Sequence, residues 1–123
     1  MVSINSVLNR LRQLVTLDDQ GAENALPLCG LCLDEICSRL RKGADGNDMR
    51  LAQAAAGLAF YRITLRNAAD GEGATSFKAG DVTVTRSPAA SVELAVSVRD
   101  EALANAADLL EDRDFIFRQV GTW

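Results

Sequence analysis

Hydrophobic and polar positions along this chain fall into four stretches with helical spacing and two short ones with strand character. Over residues 3–17, Ile4, Val7, Leu8, Leu11, Leu14 and Val15 recur at i, i+3, i+4 and i+7. Asn5, Asn9, Arg10, Arg12 and Gln13 take the other face, Ser3 is placed to cap the start, and residues 18–21 are expected to end the helix. Residues 22–42 form the second helical region. Pro27 suits a first turn, so its regular part is expected to begin near Ala25 or Leu26. Leu28, Leu31, Cys32, Ile36, Leu40 and Cys29 are the candidates for its core face. Asp34, Glu35, Ser38, Arg39 and Arg41 are expected to face out, and Gly43 to cap the end.

The third stretch, residues 48–68, organises the rest. Leu51, Ala54, Ala55, Leu58, Ala59, Tyr61, Ile63 and Leu65 sweep more than half of a helical wheel. Arg50, Gln53, Gly57 and Thr64 leave a narrow polar stripe. A helix apolar over most of its surface is normally buried by several neighbours. The run Ala54-Ala55-Ala56-Gly57 keeps one side thin, so another helix can come close. Asn47 or Asp48 is placed to cap it.

Residues 67–75 read as a connector, rich in glycine and small polar groups. Val82 and Val84 then alternate with Asp81, Thr83 and Thr85, the period of a half-buried strand, within residues 76–86. Residues 79–81 turn or bend the chain just before that alternation. Ser87-Pro88 opens a fourth helix that is expected to run to Asp112. Val92, Ala95, Val96, Ala102, Leu103, Ala106, Leu109 and Leu110 share one face of it, and Arg99 projects from that same apolar face. A lone guanidinium among apolar groups is costly, so Arg99 is expected to belong to a buried ion pair. Residues 114–120 hold Phe115, Ile116 and Phe117 and read as a short C-terminal strand. The expected fold class is mainly α: a small four-helix bundle with a short β-strand or hairpin element between helices 3 and 4 and a short C-terminal strand.

With 123 residues, the chain is expected to be one domain, residues 1–123. A chain of this size buries about 65–70% of its unfolded surface, enough for a core without disulfides or metal. Aromatics are only 5% of it, which favours close helix packing over an aromatic-rich sheet. The net charge of −4 argues against a dedicated nucleic-acid surface. Arg39, Arg41 and Lys42 do cluster at a helix end, where they match the C-terminal dipole more simply than they make a phosphate site. No apolar run approaches the roughly 20 residues of a membrane span. The N-terminal residues lack the basic-then-apolar layout of a secretory signal. An intracellular, membrane-free protein is expected, and three cysteines, an odd number, agree with a reducing compartment.

Candidate chemistry is sparse. Cys29-Gly30-Leu31-Cys32 has CxxC spacing, with Cys37 beyond it. A redox pair would need a preceding strand and a helix N-terminus, and a zinc site would need a fourth ligand in a chain with no histidine. Core packing is the plainer role for these thiols. The lack of histidine also excludes Ser–His and Cys–His catalysis. Asp18-Asp19 and Glu111-Asp112 sit at expected helix ends, and Glu111-Asp112 stands at a C-terminus, where a cationic partner would suit it. Neither a cofactor nor an enzymatic activity is expected.

The order from residue 48 to 120 resembles the small head–tail connector (adaptor) proteins of long-tailed bacteriophages and prophages. The matching pieces are the alanine-rich helix with Phe60-Tyr61, then Ser76-Phe77-Lys78-Ala79-Gly80-Asp81-Val82-Thr83-Val84. A helix closing on Ala102-Leu103-Ala104-Asn105-Ala106-Ala107-Asp108-Leu109-Leu110 and the terminal Asp114-Phe115-Ile116-Phe117-Arg118 complete the set. The resemblance implies a non-enzymatic virion component, made in the cytoplasm of a bacterial host. It implies a homo-oligomeric ring beneath a portal protein, in contact with tail or neck proteins, through which DNA passes without sequence-specific binding. Phe77, Val82, Val84, Phe115, Ile116 and Phe117 are the expected subunit interface. They place large apolar groups on strand segments outside the helical body. The alternatives are a free-standing, dimeric helical binding or regulatory module and a thiol-redox protein using Cys29 and Cys32.

Overall fold

A computed structural model describes residues 1–69, 75–79, 82–86 and 88–111, the two strand segments as backbone. Four helices pack together: α1 Ile4–Leu14, α2 Asp19–Cys37, α3 Met49–Ala69 and α4 Pro88–Asn105, followed by a 3₁₀ turn at Ala107–Leu109. Central α3 packs against each of the other three, and α1 also packs against α2. Between α3 and α4 the backbone forms a ribbon of β1 Thr75–Ala79 and β2 Val82–Arg86, antiparallel, with Phe77 opposite Val84 and Ala79 opposite Val82. The ribbon adds no sheet layer to the body, which is helix on helix. The expected C-terminal strand lies outside the described residues.

Local chemistry sets the helix starts. Ser3 caps α1, its hydroxyl accepting from the Ser6 amide at 3.1 Å. Asp18 caps α2 in the same way, its carboxylate accepting from Gly21 at 2.7 Å. Residues 18–21 therefore do not merely end α1, as expected; they begin α2. Pro27 falls inside the helix and not in its first turn. A proline there removes one backbone donor, yet Ala22 and Ala25 before it and Cys29 after it are all buried on one face. Burial on both sides of Pro27 outweighs the lost bond. Asp48 begins α3 by accepting from the Arg50 amide at 2.9 Å.

Several expected faces turn out differently. The buried face of α2 is Ala22, Ala25, Cys29, Cys32, Leu33 and Ile36. Leu31 points away from it and is 54% exposed, because α1 and α3 approach α2 from the other side. Leu65, expected in the apolar sweep of α3, is 42% exposed. Gly57 and Thr64, expected in its polar stripe, are buried. A Cβ on Gly57 would meet Ala102 Cβ at 3.1 Å and Arg99 Cα at 3.3 Å. Glycine is there because α4 lies against it. Thr64 Oγ1 is buried with no hydrogen-bond partner, a cost accepted where the bundle closes on all sides of α3.

Gly43 does not cap α2; Ser38 does. Gly43 instead takes φ +86 in the turn that follows, a conformation open to glycine. The chain ends of the bundle are then tied together. Arg41 N–H donates to Leu109 O at 2.8 Å and Glu111 N–H to Arg39 O at 2.7 Å, bridging Leu40 to Leu110. At the opposite chain end, Val2 N–H donates to Gly46 O at 2.9 Å.

The α3–α4 contact should tolerate no added bulk. Alanine improves helix propensity at position 57 by about 1 kcal/mol, but overpacking a filled contact costs about 1–3 kcal/mol. The opposing atoms include α4 backbone, so packing wins. Gly57→Ala is expected to lose about 1 kcal/mol in urea unfolding and Gly57→Val clearly more; an alanine variant more stable than the parent would show that α4 can retreat.

Candidate functional site

Three groups of chemically capable side chains lie among the described residues. The first is the cysteine set. Cys29 and Cys32 lie in the interior of α2, each 0% exposed, and Cys37 near its end is half-buried; all three are free thiols. Burial pushes the Cys29 and Cys37 thiols above their ordinary value and Cys32 up to about 11, the nearby Arg62 guanidinium notwithstanding. A redox or nucleophilic cysteine needs the reverse, a stabilised thiolate within reach of solvent. Among the described residues, no group of three or more cysteine, aspartate or glutamate side chains is placed to hold a metal ion.

The second group surrounds Arg62 on α3. Its guanidinium donates to Glu35 Oε2 at 2.7 Å and lies 3.5 Å from the Cys32 sulfur. Arg62 and Glu35 are both half-exposed. The pair clamps α2 to α3 beside the Cys32 thiol.

The third group joins α3 to α4. Arg99 stands on the buried face of α4, 2% exposed, between Ala95 and Leu103. Its Cζ lies 4.1 Å from the centre of the Tyr61 ring. Its Nε donates to Asp100 Oδ1 at 3.2 Å. Stacking on an aromatic face and a carboxylate at the rim reduce the cost of burying the charge. Arg50, at the far end of the same seam, ties α3 to the end of α4. It donates to Asp48 at 2.9 Å and to Asp108 at 2.8 Å. Its hydrogen bond holds the Asp48 carboxyl below the usual carboxylate range. The cluster Arg39, Arg41 and Lys42 also has a structural use, since Arg41 Nε donates to Leu110 O at 2.5 Å.

A small cleft of about 130 Å³ opens between α1, α3 and α4, with Arg10, Gln53, Glu101 and Asn105 at its edges. Sites for small molecules run to roughly 300–1,000 Å³, so the cleft suits a few waters. No described helix is long and apolar enough to cross a membrane.

Of the residues singled out for a subunit interface, Phe77, Val82 and Val84 fall on the β1–β2 ribbon, where only the backbone is described. Phe115, Ile116 and Phe117 lie outside the described residues. The structure does bring together a set that sequence reasoning missed: Tyr61 with Arg99, and Arg62 with Glu35 and Cys32. The arginine on an apolar face was the one signal in the sequence for the first pair; nothing in the sequence indicated the second. Comparison of the chain with protein-family models, with curated proteins and with solved structures gave no match.

Two measurements test these assignments. The Cys32 thiol stays protonated in the fold up to about 11, against 9.0 ordinarily. Above pH 9 the unfolded chain releases the proton and the folded chain keeps it, so stability falls as pH rises and levels off above pH 11. The loss should be on the order of 2 kcal/mol, read from urea unfolding at stepped pH, and Cys32→Ala should remove most of this slope. For Arg99, packing and charge separate by substitution. Arg99→Ala leaves a cavity and should cost about 2–4 kcal/mol. Arg99→Met keeps the volume and removes the desolvated charge, and should lie within about 1 kcal/mol of the parent or above it. Equal losses for both would mean that the charge, not the stem, holds α4.

Proposed function

We propose that the chain is a non-enzymatic subunit of a ring, a head–tail connector of a long-tailed phage or prophage. In this reading the helical body is a scaffold, and the ring sits between a portal and the tail, extending the channel for DNA. The ribbon between α3 and α4 and the segment of residues 114–120 form the contact between neighbouring subunits. Phe77, Val82, Val84, Phe115, Ile116 and Phe117 supply the apolar surface of that contact.

The observation that carries the reading is the β1–β2 ribbon. Its two segments pair with each other, in the register Phe77 to Val84, and among the described residues no third strand joins them. A two-stranded ribbon is marginal by itself in water, and each outer edge offers unpaired backbone groups to another chain. A head-to-tail contact between identical subunits gives each one edge to offer and one to accept, until the rotation closes. The succession of a long alanine-rich α3, the ribbon, α4 and an apolar end segment is also the order in which the sequence resembles connector proteins. The buried thiols, with their raised pKa values, speak against the thiol-redox alternative.

The test is assembly. The purified protein, concentrated alone or with a portal ring, should form closed rings in negative-stain electron microscopy. Deletion of residues 76–86, or Phe115→Asp with Phe117→Asp, should leave helical content by circular dichroism nearly unchanged and abolish the higher oligomers in sedimentation. Rings that persist in these variants would remove the two segments from the interface. A parent that stops at a dimer, or forms no ring under any of these conditions, would overturn the connector reading in favour of a helical binding module.

A further inference from the structure

We draw no further inference here: the strongest candidate, the exposed apolar patch of Pro27 and Leu31 on the outer face of α2, carries nothing because nothing in the structure shows what covers it.

Discussion

Everything in this fold depends on how closely other helices can approach α3. Ala52, Ala54, Ala55, Ala56 and Ala59 are all fully buried along it, with Gly57 among them. Small side chains contribute little apolar area each, but they let neighbouring backbones come near and bring many atoms into contact. At Gly57 the α4 backbone is so near that even a methyl group would have to displace it. The low aromatic content is in keeping with this constraint: Phe60 and Tyr61 are the aromatic groups of α3, and both are buried.

Close approach also explains the polar groups at the centre. Arg99 is carried into the interior because its helix is drawn against α3, and Tyr61 supplies the ring on which its guanidinium lies. The hydroxyl of Thr64 is enclosed for the same reason. Ion pairs then fasten the edges of the bundle where solvent begins, Arg50 with Asp48 and Asp108 on one seam, Arg62 with Glu35 on another. Half-exposed pairs of this kind add little to stability. Their value is positional, since they fix how far one helix can slide along another.

The same packing governs what the described side chains can do. Its thiols are enclosed and held protonated. Apolar Leu31 on α2 is left 54% exposed, outside the core. Surplus apolar surface on a well-packed small domain is most simply used against another molecule. That is the physical link between the packing of the bundle and its proposed place in a ring.

The sequence by itself determined the four helices, their order and the central place of α3, because each rests on periodicity and on capping residues that act within a turn or two. Ser3 and Asp48 could be read as caps directly. It did not determine which way each helix faces. Leu31 looks like a core residue by spacing, and Gly57 and Thr64 look like a polar stripe; their burial depends on where α1, α2 and α4 arrive, and no local pattern encodes that. Pro27 is the same case, a helix breaker by local rule that tertiary burial on both sides overrides. Arg99 was visible as an exception on an apolar face, but only the packed structure could supply Tyr61, because contacts across a helix seam join residues that the chain holds far apart.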